Sequence, residues 1–177
     1  KSDSLKEVYE LGSNKLKYNI SPEGARFIKT FAIKDSLKEF GFIQIEEILS
    51  WIIAETLKIP SLSFESLILQ VLAQMGYGGG DPKRIQGVPR GPDGGIDGKI
   101  DEDKLGLDQI YIQAKRYSEN SVGRPTVQSF LGAMTGGGCR KGVFVTSSTF
   151  TSEAKKFADG LNDVRLVLID GVDLAKL

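Results

Sequence analysis

The chain has 177 residues, with 23 Lys and Arg balanced by 23 Asp and Glu, so it carries no formal net charge. That length accommodates one full domain and a smaller piece, and 40% hydrophobic with 26% charged residues excludes a wholly disordered chain. Neutrality excludes attraction to nucleic acid by the global field alone, the absence of histidine excludes His-dependent triads and imidazole ligands, and a lone cysteine, Cys139, excludes an intrachain disulfide or a Cys-based zinc site.

No apolar run is long enough to cross a membrane and no signal-peptide pattern opens the chain, so a cytoplasmic location is expected, although the start KSDSLKEV reads as part of something longer. Residues 1–58 read as a mostly helical segment. Ser21 is a candidate N-cap with Pro22 at the first helical position, and Ala25, Ile28, Phe31 and Ala32 form an apolar series; a second helix is expected over Ile45 to Leu57. The run KLKYNISPEG resembles the end of a winged-helix DNA-binding module, but the match is short and a helical linker packed on the main domain is the favoured reading. Residues 59–177 then form the main domain.

From Pro60 the pattern predicts a helix ending near Met75, capped by Ser61 or Ser63 and stopped by Gly76. Ser66, Gln70 and Gln74 make its polar stripe, whereas Glu65 lines up with Ile68, Leu69 and Leu72 on the face directed at the core. An ionised carboxylate there needs a cation, a metal or a hydrogen-bond donor; the alternative is a half-exposed acid complementing the helix dipole. Residues 77–94, rich in Gly and Pro and carrying Lys83, Arg84 and Arg90, read as a loop with one short strand at Ile85 to Val88. The loop lacks the Gly-Lys-Ser/Thr of a phosphate-cradling P-loop, and DEDKLGLDQIYI places Leu105 and Ile112 where a calcium loop needs oxygen ligands.

Gly94 to Arg116 reads as two strands joined by an acidic turn. Gly95, Asp97 and Lys99 alternate with Ile96, Gly98 and Ile100, and Tyr111, Gln113 and Lys115 alternate with Ile110, Ile112 and Ala114. A turn centred near Lys104 and Leu105 puts Asp97 opposite Gln113 or within one residue of it, so Asp97, Gln113 and Lys115 are expected on one face. A helix from Pro125 to Thr135, a buried strand from Lys141 to Thr146, a helix capped by Thr151 or Ser152, a buried strand from Val164 to Ile169 and a short helix from Val172 to Leu177 complete the chain. Ser147 and Ser148, after the GVFVT strand, either line a site or begin the next turn. This order predicts an α/β fold, a mixed central sheet flanked by helices and preceded by the small helical segment.

An aspartate, an amide and a lysine on one sheet face suit metal-assisted attack on a phosphodiester. Mg²⁺, with Mn²⁺ as a substitute, needs only one or two carboxylates plus other oxygens, which Asp97, Glu65, the Gln113 carbonyl and the backbone carbonyl of Ala114 can supply. Lys115 would orient or deprotonate the attacking water. The competing interpretation is a solvated hairpin face in which Asp97 and Lys115 form an ordinary cross-strand salt bridge.

GYGGG at 76–80, GPDGGIDG at 91–98, IYIQAKRY at 110–117, then VGRPTVQSFLGAM, KGVFVTSSTFTSEA and LVLIDG, in that order, resemble the catalytic domain of Mrr-like restriction endonucleases. The resemblance covers Phe64 to the C-terminus. It implies a PD-(D/E)xK nuclease fold whose final acid is replaced by glutamine, with the metal-binding aspartate at Asp97, the QxK element at Gln113 and Lys115, and the first-helix acid at Glu65. It further implies a Mg²⁺-dependent endonuclease acting on double-stranded DNA in a modification-dependent way, as a homodimer because two strands require two sites. Alternatives are a non-catalytic DNA-binding or assembly module on the same fold and a structure-specific junction nuclease. Lys83, Arg84, Arg90, Arg116 and Arg124 are candidate phosphate contacts, though each is also explicable as a solvated surface charge.

Overall fold

The computed structural model describes residues 45–89 and 95–177. The expected Ser21 cap with Pro22 and the KLKYNISPEG run lie outside the described residues, as does Arg90. The chain divides into two compact units, Lys1–Ile59 and Pro60–Leu177. In the first, helix α1 (Ile45–Thr56) forms where the second helix was expected. Ile48 and Ile52, one turn apart, are both buried, and the Thr56 hydroxyl donates to the Ile53 carbonyl at 2.7 Å in its last turn.

The second unit opens with helix α2 (Ser61–Gln74). Neither serine caps it: Pro60 occupies the N-cap position at φ −59°, no side chain bonds the helix start, and the Pro60 carbonyl accepts from the Phe64 N–H at 2.9 Å. The fixed φ of proline takes the place of a hydroxyl in setting the start. Phe64, Leu67, Ile68 and Leu72, spaced three and four apart, are its buried stripe.

Five strands follow in one sheet whose spatial order equals the chain order: β1 (Ile85–Gly87), β2 (Gly98–Asp101), β3 (Gln109–Lys115), β4 (Lys141–Thr146) and β5 (Arg165–Ile169). The first three are antiparallel neighbours and the last three parallel, so the sheet is mixed as expected. The parallel pairs need crossovers, which helices α3 (Arg124–Gly136) and α4 (Ser152–Asp159) supply, and a short helix α5 (Gly171–Leu174) follows β5. The expected caps form at Thr151, whose hydroxyl accepts from the Ala154 N–H, and a further one at Asp170, whose carboxylate accepts from the Asp173 N–H.

Helices lie on both faces. On one, Phe144 of β4 is fully buried with the rings of Phe130 and Phe150 edge-on at 5.6 and 5.5 Å, joined by Tyr111, Val127, Met134 and Ala154. On the other, α2 packs on β1 and β3. Its Leu69 touches Gly98 so closely that a Cβ at that position would collide with the Leu69 methyls. The expectation that β5 is buried on both faces is corrected: Arg165 is exposed and Val167 is 44% exposed. An edge strand paired only with β4 among the described residues keeps its outer positions in solvent. No helix of the described residues is long and apolar enough to cross a membrane.

Candidate active site

The ladder between β2 and β3 is symmetric about Leu105 and starts at the pair Gly98 and Ile112. Asp97 comes immediately before it and does not extend it regularly. Its N–H donates to the Ile112 carbonyl at 2.8 Å, so Asp97 and Gly98 both address one residue of β3, the two-against-one arrangement of a β-bulge. A bulge re-aims the side chain it carries. Here the Asp97 Oδ2 accepts from the Ala114 N–H at 2.8 Å, standing in for the backbone carbonyl a regular next rung would present. The Asp97 carbonyl in turn accepts from the Val88 N–H at 3.0 Å, which anchors the bulge to the end of β1. Asp97 therefore sits within one residue of Gln113, as the hairpin symmetry requires.

On β3, Tyr111, Gln113 and Lys115 alternate onto the face that also carries Phe144, while Ile110, Ile112 and Ala114 turn toward α2. This is not a solvated face: Gln113 is only 3% exposed. Its amide lies against Gly95, where φ is +92° and a Cβ would run into the Gln113 Nε2. The Gln113 Oε1 is buried and has no hydrogen-bond partner among the protein atoms, an arrangement that is costly for an amide carbonyl left unsatisfied. Lys115, two residues further, is half-buried at the end of β3. Lys99 shares this side of the hairpin, with its ammonium 4.6 Å from the centre of the Tyr111 ring.

Glu65 comes from the other layer. It is half-buried in the second turn of α2, with no acid in the first turn, so the dipole-complement alternative loses its premise. It stands one turn before Leu69, on the helix side that packs over Gly98. The hairpin thus ties Asp97 to Ala114, between Gln113 and Lys115 on β3, whereas Glu65 belongs to α2, which packs on the sheet face opposite Gln113 and Lys115.

The candidate phosphate contacts separate by environment. Lys83 is exposed, following the Asp81 carboxylate that accepts its backbone N–H at 3.0 Å. Arg84 is drawn inward, with its side chain 20% exposed, its Nε 3.9 Å from Asp81 Oδ2 and its guanidinium against Gly79. Arg124, at the start of α3, lays its guanidinium 5.0 Å from the Phe157 ring centre while remaining exposed. Arg116 is half-buried beside Lys115. The structure therefore leaves Lys83 and Arg124 exposed and uses Arg84 to brace its own loop.

Among the described residues no three Asp, Glu, Cys or His side chains converge closely enough to hold a metal by themselves. A cation here must draw on amide, backbone or water oxygens beside one or two carboxylates, the donor set that Mg²⁺ favours. The buried, unpartnered Gln113 Oε1, on the residue preceding the Ala114 N–H that the Asp97 carboxylate bonds, is an amide oxygen of the kind that requirement calls for. The residues that could hold the ion are Asp97 and Gln113, with the Ala114 carbonyl and Glu65. Sequence periodicity placed Lys99 on the polar face but missed the bulge at Asp97 and the clearance at Gly95. The glycine pair directly before Ile96 and Asp97 is the signal for both, because glycine inside a strand pattern marks a bulge or a close approach.

The family model described as Restriction endonuclease, Mrr_cat, matches residues 56–177. Over 147 residues the chain is 42% identical to the type IV methyl-directed restriction enzyme EcoKMrr of Escherichia coli (strain K12), an alignment covering 82% of this chain and 45% of that enzyme. The chain thus spans less than half the length of this relative. Among solved structures, the DNA modification-dependent restriction endonuclease AspBHI aligns with a TM-score of 0.41 and 19% identity over 69% of this chain and 36% of its own. MspJI restriction endonuclease in complex with a 27-mer oligonucleotide aligns with a TM-score of 0.40 and 19% identity over 93% of this chain and 32% of its own. The family match takes in the whole sheet, including the bulge at Asp97 and the strand that carries Gln113 and Lys115, and the chain belongs to the Mrr-type restriction endonuclease family.

Proposed function

We propose that this chain is a Mg²⁺-dependent DNA endonuclease that cuts modified foreign duplex in the cytoplasm, acting as a homodimer so that each strand meets one site. The observation that carries the reading is the Asp97 carboxylate fixed on the Ala114 N–H, the residue after Gln113, whose buried Oε1 has no hydrogen-bond partner. Methyl-directed restriction by the E. coli relative supports the choice of modified DNA as substrate.

Asp97 and Gln113 would hold the ion, with the Ala114 carbonyl and Glu65 as further oxygens. When bound, Mg²⁺ polarises the scissile phosphate and offsets charge on the departing sugar oxygen; Mn²⁺ can replace it. The hydrogen bond from the Ala114 N–H fixes the Asp97 carboxylate in advance, so little reorganisation is left for the reaction. Lys115 orients the attacking water and steers its proton from a strand position two residues beyond Gln113. Lys83 and Arg124 offer exposed charge to phosphates, an interaction that weakens as salt rises.

The test is cutting by the purified chain of methylated duplex, unmodified duplex and a four-way junction, with Mg²⁺ or with a chelator. Fastest cutting of the methylated duplex, abolished by the chelator, is expected. Preference for the junction would replace restriction with structure-specific cleavage, and neither cutting nor calorimetric Mg²⁺ binding would leave a non-catalytic module.

A further inference from the structure

We infer that the hydroxyls of Thr146 and Ser147, which follow one another at the end of β4, act as a clamp that positions Lys115 for catalysis. The inference rests on the nuclease reading of Lys115. β3 and β4 pair in parallel up to Lys115 and Thr146, the last pair of their ladder. The ladder closes with the Ser147 N–H on the Lys115 carbonyl, and from there side-chain hydroxyls hold the main chain. The Thr146 Oγ1 donates to the Lys115 carbonyl at 2.8 Å, and the Ser147 N–H donates to the same carbonyl at 3.3 Å. The Ser147 Oγ then both donates to the Tyr117 carbonyl at 2.8 Å and accepts from the Tyr117 N–H at 2.9 Å, occupying the two backbone groups that the lost ladder would have bonded.

The clamp continues outward. The Ser148 Oγ donates to the Asn120 carbonyl at 2.7 Å, and Val122 bonds Thr149 and pairs with Phe150. Thr146 is fully buried and Ser147 is 4% exposed, so water does not compete for these bonds. Lys115 thus has a fixed carbonyl on its own residue and a fixed peptide two residues on, while its side chain stays half-buried at the strand end. A hydroxyl pair that grips the main chain at a lysine and two residues beyond it sets where that ammonium stands without touching the reacting atoms. Thr146 and Ser147 are positioning residues.

The full chain is compared as wild type, Thr146→Val, Thr146→Ser and Ser147→Ala. Three quantities are read: single-turnover cutting of methylated duplex with Mg²⁺, duplex binding with Ca²⁺ in its place, and hydrogen exchange at the Tyr117 amide. Thr146→Val is expected to cut about tenfold or more slower at unchanged duplex affinity, and Thr146→Ser to stay within about threefold of wild type, since small misplacement costs rate before binding. Ser147→Ala is expected to speed exchange at Tyr117 and to slow cutting; it carries the test if Thr146→Val does not fold. Variants that cut at the wild-type rate, or a Thr146→Val defect that Thr146→Ser fails to restore, would overturn the clamp. A wild-type chain that cuts no DNA would overturn the nuclease reading and the positioning role with it, whereas unchanged Tyr117 exchange in Ser147→Ala overturns the clamp alone.

Discussion

A neutral amide at Gln113 occupies a place where burial would punish a charge. At 3% exposure an ionised glutamate needs a cation beside it, while a glutamine tolerates an empty site at the smaller cost of one unbonded carbonyl. Gln113→Glu is therefore expected to melt at a lower temperature than wild type without metal and to gain more from added Mg²⁺; equal gains in a melting experiment would remove Gln113 from the ligand set. Gly95→Ala places a methyl against the Gln113 amide at φ +92°, and a loss of about 1–3 kcal/mol is expected in urea unfolding. Alternation along the hairpin was enough to single out Asp97, Gln113 and Lys115 from the sequence, because the two-residue period of a strand is rigid. It did not reveal that Asp97 leaves the ladder in a bulge, since that depends on how Gly95 lies against Gln113 of β3. Ser147, ambiguous in the sequence, acquires a role only when the parallel register brings it beside Tyr117.

The β2–β3 hairpin carries the candidate site, and the Asp103 carboxylate helps to close its turn alongside the Glu102 N–H to Asp108 carbonyl bond. Asp103 accepts from the Asp108 and Leu105 N–H groups, each at 2.7 Å, and these bonds hold its carboxyl below the usual carboxylate range. A depressed folded-state value means that the stabilisation is present above the unfolded carboxylate pKa and is lost as pH falls through the folded value. The thermal midpoint of wild type is thus expected to drop between about pH 5 and about pH 3, and Asp103→Ala to show a smaller drop. An unchanged acid limb in that variant would remove the turn from the acid response. Helix and strand positions followed from apolar spacing: β4 runs from Lys141 to Thr146 as its sequence indicated. Two features did not follow. The start of α2 is set by Pro60 and not by a serine, because both residue types signal a helix start and only packing chooses between them. β5 reads as a buried apolar run, and its place at the sheet edge is a property of the whole topology, invisible in five residues.

At the scale of the molecule, strand order and layering follow from short connections: a hairpin for the antiparallel strands and a helix for each parallel crossover. The unit Pro60–Leu177 has its own sheet and its own core around Phe144, so a chain starting at Pro60 is expected to fold alone and unfold in a single transition by heat and by urea. Two transitions, or none, would show that residues before Pro60 complete the core. Formal neutrality, which argued against DNA as a partner, describes only the sum, and the proposed contacts rest on local charge at Lys83, Arg124 and Lys115. Lys115 is also the cleanest place to interrogate the site, because its half-buried side chain can be removed without orphaning a backbone group as Asp97→Ala would at Ala114. The decisive measurement is the rate at which wild type and Lys115→Ala cut methylated duplex, with Mg²⁺ and with a chelator, alongside their melting curves. Wild type should cut only with Mg²⁺, and Lys115→Ala should be slower by about a hundredfold or more with an unchanged melt. Cutting by Lys115→Ala at the wild-type rate, or wild-type cutting undiminished by the chelator, would contradict the assignment of this hairpin as a metal-dependent nuclease site.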